Sequence, residues 1–203
     1  NLHEQVKILT SNLDTNFLIK RIYNRIKKLS PHYSLPNLDE AGNPLEFYKV
    51  IMSYLKYDIL KILTIDVDIN LKKKYSTIED MLKLFFTKEQ DIIIFEDHES
   101  KIDFKMEYEL ELDSKKYKYK LDSIILTNKD HYKPKENSHF VSVLTINKQY
   151  YKFDGSSYSK LSKFDWTKIL NKNVDWTFIE NPAYYPEKYN FKYGYKILFY
   201  YRS

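Results

Sequence analysis

Five histidines, 28 carboxylates and no cysteine bound the chemistry open to this chain of 203 residues. An imidazole held beside a carboxylate can act as a general base, but a base needs a nucleophile to activate. The thiolate, a strong nucleophile at neutral pH, is absent. His139 stands in Ser138-His139-Phe140-Val141, and Asp154 closes Tyr150-Tyr151-Lys152-Phe153-Asp154 just before Gly155. Read alone, a histidine on a strand is a structural residue and an Asp before Gly is a turn residue. His3, His32, His98 and His131 are not spaced as metal ligands, so no metal and no other cofactor is expected.

The elements that must position these residues follow from periodicity. In 11–29 the polar Ser11, Asn12, Asp14 and Thr15 suit a helix N-terminus. Phe17, Leu18, Ile22, Ile26 and Leu29 then recur at helical spacing, with Lys20, Arg21, Arg25, Lys27 and Lys28 on the other faces. Pro44 suits the first turn of a second helix, expected over 44–63. A third, over 77–86, takes Ser76 or Thr77 as its cap. Beyond Lys88 the period changes to two. Strands are expected at 91–95, 102–112, 117–127, 139–146, 149–154 and 195–201, with Asn147-Lys148 as a tight hairpin turn. Residues 155–190 read as loop with one helical turn near 166–170. Helices followed by an antiparallel sheet make the chain α+β, expected as one compact domain with a helical part at 1–88 and a sheet part at 89–203.

Composition narrows the setting. Apolar residues at 43% suffice for a core, and no run approaches the ~20 apolar residues of a membrane helix. Without cysteine there are neither disulfides nor Cys-type zinc sites, so a cytoplasmic or nuclear protein away from membranes is expected. The sequence opens on Asn1, so the native start is expected upstream. Its 20 tyrosines against 3 glycines read as AT-rich coding, which weakens them as evidence for a stacking surface. A net charge of +5 permits nucleic acid or acidic protein as partner and specifies neither.

Four segments resemble the ubiquitin-specific protease family of papain-like cysteine proteases. Leu121-Asp122-Ser123-Ile124-Ile125-Leu126, His131 and Ser138-His139-Phe140-Val141 are similar to its Gly-His-Tyr box, with Ser138 in place of Gly. Gln149-Tyr150-Tyr151-Lys152-Phe153-Asp154-Gly155 is similar to its Trp-Tyr-x-Phe-Asp-Asp box, with Gly155 in place of the second Asp. Tyr195-Lys196-Ile197-Leu198-Phe199-Tyr200-Tyr201-Arg202 is similar to its closing strand, and Asn43-Pro44-Leu45-Glu46-Phe47 to its Asp-Ala-x-Glu-Phe helix. The resemblance implies a helical thumb followed by a sheet palm, with His139 as catalytic base and Asp154 orienting it. Asn12-Leu13-Asp14-Thr15-Asn16-Phe17 falls where the family opens its first helix with the nucleophile. Asn12 then matches the oxyanion-hole Asn, and Phe17, or Asn16 with a one-residue gap, takes the place of the lost cysteine. Thr15 offers a hydroxyl with no base poised beside it. The zinc fingers of the family have no counterpart here.

The resemblance implies a pseudoenzyme rather than an active protease: a binding or scaffold module in a larger protein or ribonucleoprotein assembly, with ubiquitin or a ubiquitin-like protein as partner. Two alternatives stay open. One is an active deubiquitinase whose cysteine lies outside these residues. The other is a ribonucleoprotein-associated factor that uses the basic helix.

Overall fold

The structure is a computed structural model, and it describes residues 15–29, 44–54, 61–98, 101–128, 139–154, 158–178 and 187–203. The chain divides into two compact units, 1–59 and 60–203. The first holds helices α1 (Thr15–Leu29) and α2 (Pro44–Tyr54). Leu45 and Val50 are buried on α2, and Ile26 on α1, as the apolar spacing requires.

The second unit is mixed α and β, built on an eight-stranded sheet. Its elements are β1 (Ile62–Val67), α3 (Ile69–Lys74), α4 (Ile78–Phe85), β2 (Ile92–His98), β3 (Glu107–Leu112), β4 (Lys115–Thr127), β5 (Phe140–Ile146), β6 (Gln149–Asp154), β7 (Tyr158–Lys163), a 3-10 turn (Trp166–Lys168) and β8 (Tyr195–Arg202). The strand order is β1-β2-β8-β4-β5-β6-β7, with β3 joined to β4 beside this path. Thr77 caps α4 by accepting from the Asp80 amide, as its sequence announces. At the two hairpin tips, Asp113-Ser114 and Asn147-Lys148 all have positive φ, the geometry that matches strand twist in a two-residue turn.

Three expectations change. The helix expected over 44–63 is described over Pro44–Tyr54 and does not reach 63, because Ile62–Val67 is a strand pairing parallel with β2. The sheet is therefore antiparallel except for that pair. An apolar run rich in β-branched residues suits either element, and the partner that decides it lies about 30 residues away. The strand expected over 102–112 begins only at Glu107. Upstream, the Asn171 side chain takes both backbone groups of Phe104, accepting from its N–H at 3.0 Å and donating to its carbonyl at 2.8 Å. Phe104 is buried without belonging to the ladder. Finally, β7 and the short helix α3 occupy segments read as connection. The β7 ladder rests on main-chain bonds to β6 under the polar sequence Tyr-Ser-Lys-Leu-Ser-Lys, and periodicity does not register it.

Strand β8 lies in the middle of the sheet, and its first six residues are buried. One of them is Lys196, facing the fully buried Asp97 of β2, its register partner. Lys196 Nζ lies 2.8 Å from Asp97 Oδ2 in a Coulombic contact rather than a well-aligned hydrogen bond, and it donates to the Gly194 carbonyl at 3.2 Å. Removing one member leaves the other charged in a dry site. Lys196→Met is expected to lower stability by about 3–5 kcal/mol in urea unfolding, and Asp97→Val with Lys196→Met to recover most of it.

At the bulge between Leu121 and Ser123, the half-buried Asp122 has its carboxyl pushed above its ordinary value of 3.8 by burial, partly offset by a hydrogen bond from Ser123. The folded chain therefore holds this proton more tightly than the unfolded chain. The group is neutral and costs nothing below 3.8. Stability falls as pH rises through the raised value, and the whole cost is present at neutral pH. Asp122→Asn is expected to raise Tm at neutral pH, and thermal melts should show the increment vanishing towards pH ~3.

Candidate functional site

The end of the sheet where β5 begins and β6 ends brings the two residues of interest together. Ser142 opposes Phe153 in the antiparallel register, so His139, one residue before β5, meets Asp154, the last of β6. His139 Nε2 lies 2.8 Å from Asp154 Oδ1. The carboxylate is buried at 5% side-chain exposure and the imidazole reaches solvent at 27%. A neutral ring in this pose donates Nε2–H to the carboxylate, which puts the basic lone pair on Nδ1. The carboxylate thus orients the ring.

Asp154 and Lys152 share one face of β6, which is walled with aromatic rings. The Lys152 ammonium lies 5.0 and 5.2 Å from the ring centres of Phe164 and Phe178 and donates to the Thr177 carbonyl at 2.6 Å. Trp176 packs on Tyr189 and Phe191. The Tyr189 hydroxyl is pushed well above its ordinary range, first by burial, then by its hydrogen bond to Glu187, and further by the charge of Asp154. It stays protonated beside the carboxylate at any physiological pH.

Neighbouring strand ends continue the row. Thr127 of β4 opposes Phe140, whose ring lies 6.0 Å from that of Tyr195 at the start of β8. The Tyr195 ring in turn lies 5.1 Å from His98 of β2, and its hydroxyl donates to Glu96 at 2.5 Å. His98 Nε2 sits 3.2 Å from Asp66 Oδ1 on β1, a second imidazole–carboxylate pair that sequence reasoning missed. Only the parallel β1–β2 register reveals it, since Asp66 and His98 lie in segments with no shared motif.

Of the other sequence-derived residues, Asn16 and Phe17 fall in the first turn of α1 within the first unit. Asn12, His131, Ser138 and Gly155 lie outside the described residues.

The row depends on Gly194. Its φ is +74°, and a Cβ there would lie 2.8 Å from Thr127 Oγ1 and 3.1 Å from the Thr127 carbonyl. That close approach lets the Tyr195 amide donate to Thr127 Oγ1 at 3.0 Å. Gly194→Ala carries both the left-handed strain and the clash. It is expected to cost about 1–3 kcal/mol or more in chemical unfolding. His139 ring resonances in proton NMR should move with it.

No known family and no curated protein matches this sequence. Among solved structures, a chain of the SAGA Ubp8/Sgf11/Sus1/Sgf73 DUB module is similar, at 15% identity and a TM-score of 0.36, over 58% of this chain. This chain spans 24% of that chain's length.

Proposed function

We propose that this chain is a ubiquitin-specific-protease-like domain that binds a ubiquitin-like protein without cutting it, as a subunit of a larger cytoplasmic or nuclear assembly. The helical thumb and sheet palm belong to this proposal, as do the roles of His139 and Asp154 as retained base and orienting acid. The observation that carries it is the His139–Asp154 contact of 2.8 Å, formed by the two segments that resemble the family's His and Asp boxes, in a chain without cysteine.

Retention of the pair without its nucleophile has a physical reason. A buried carboxylate loses hydration and needs donors around it. His139 supplies one from the neighbouring strand and so ties β5 to β6 at their ends. The pair thus serves the sheet whether or not any nucleophile is near.

A second reading is an active cysteine deubiquitinase whose nucleophile lies outside these residues. It is favoured by the same geometry, because the imidazole is oriented and open to solvent. One pair of measurements separates them. Titration of isotope-labelled ubiquitin with the 203-residue chain should give saturable shifts, while a ubiquitin–fluorophore conjugate should not be hydrolysed above buffer. Absence of shifts from ubiquitin and its relatives sinks the binding proposal, and turnover by the native full-length protein that His139→Ala abolishes establishes the second reading. In the chain itself, His139→Ala should cost about 1–3 kcal/mol of stability, the penalty of a buried acceptor losing its donor.

A further inference from the structure

The distribution of charge separates α1 from the rest of the chain. The sequence holds 33 Lys and Arg against 28 Asp and Glu. Five of those cations, Lys20, Arg21, Arg25, Lys27 and Lys28, lie in the 15 residues of α1, which contain no acid. The whole formal excess of +5 therefore resides in one helix, and the remainder of the chain is balanced.

Several cations of the second unit are paired, although others such as Lys73, Lys74 and Lys88 have no ion pair among the described residues. In the second unit, Lys61, Lys105, Lys116, Lys118, Lys192 and Arg202 all stand within ion-pair reach of carboxylates. On α1 all five cations are exposed, and none has an acidic partner among the described residues. Lys27 lies over the Tyr23 ring at 5.8 Å. Helical geometry stacks them: Arg21 and Arg25 are four residues apart, and Arg25 and Lys28 three, so like charges face one another at some cost to the helix. Lys27 and Lys28 have a local reason to be basic, since they lie in the last turn at the negative end of the helix dipole. Lys20, Arg21 and Arg25 have none.

A row of mutually repelling cations, unpaired among the described residues and running about 12 Å from Lys20 to Lys28 at 1.5 Å per residue, matches a polyanion. The helix suits a bilayer less well, because a membrane-bound amphipathic helix needs its apolar face for lipid, and on that face Ile26 is buried at 3% exposure, leaving Ile22 at 48% as its exposed apolar residue among those described. We infer that α1 is a nucleic-acid interface that engages the phosphate backbone through Lys20, Arg21, Arg25, Lys27 and Lys28 without reading bases. Phosphates relieve the repulsion along the helix, and their condensed counterions are released to solvent.

The test is fluorescence anisotropy of the full 203-residue chain with a labelled ~20-base-pair DNA duplex of arbitrary sequence. With three to five phosphate contacts, affinity is expected to fall on the order of 10²-fold between roughly 50 and 200 mM salt. Replacing all five cations by Gln should abolish binding, while Arg21→Lys with Arg25→Lys, which keeps the charge, should retain it. Circular dichroism checks that the helix survives, and the single change Arg25→Gln, which should flatten the salt slope by about one, serves if the multiple variant unfolds. Salt-independent binding, or a folded five-site variant that binds like the parent, overturns the inference. Capture by phosphatidylserine vesicles with no binding to the duplex also overturns it, and would make the partner a lipid surface.

Discussion

The last strand of the chain has to enter the middle of the sheet. β8 lies between β2 and β4, and the two halves of the sheet are joined only through it. Its pairing with β2 spans about a hundred residues of sequence, as in Ile94 with Phe199. Such contacts gain nothing until a long loop has closed, so the local hairpins can form along the chain but the halves of the sheet join only when β8 arrives. Burial of the first six residues of β8 drives the insertion, but an apolar strand is indifferent to sliding by two residues. The Asp97–Lys196 pair is not indifferent. A slip of one step would leave both charges buried and separated, so the pair selects register more than it adds stability. That register carries Gly194 and Tyr195 to the strand ends where the candidate site lies.

The site follows from this constraint. His139 and Asp154 meet because the β5–β6 hairpin is held in phase by Asn147 and Lys148 at its far end and by Thr127 opposite Phe140 at its near end. The imidazole is oriented by a buried acid and reaches solvent on its other side, which is the half of acyl-transfer chemistry that positions a proton. The other half is an atom that attacks, and the sequence offers no thiol for it.

Legibility in the sequence tracks locality. Hairpin β5–β6, the β4 strand, the α4 cap and the amphipathic α1 are written in periodicities and turn residues within a few positions of one another. The His139–Asp154 pair was legible only through motifs, since nothing in either residue's own surroundings separates it from a structural histidine or a turn aspartate. What was not legible depends on distant partners. β1 is a strand because β2 pairs with it, Phe104 leaves the ladder because Asn171 captures its backbone, and β7 borrows main-chain bonds from β6. The Asp97–Lys196 and Asp66–His98 contacts join residues about a hundred and about thirty positions apart, and no local pattern marks them.

Charge is used differently on α1 and on the β3–β4 hairpin. In the sheet unit it is internal: the β3–β4 hairpin lines Glu107 and Glu109 against Lys116, Lys118 and Lys120, and the C-terminal Arg202 reaches Glu89 and Asp91. Such exposed pairs add little stability, but each neutralises charge locally. On α1 the five cations have no acidic partner among the described residues, and the reach of their field is about the Debye length, roughly 8–10 Å at physiological salt. A protein whose partners were all neutral would gain nothing from holding that repulsion in one helix. The same composition spread over the surface would keep the net charge and its solubility without the strain. The segregation therefore acts as a recognition device, and what it recognises is negative, extended and available to a helix of four turns.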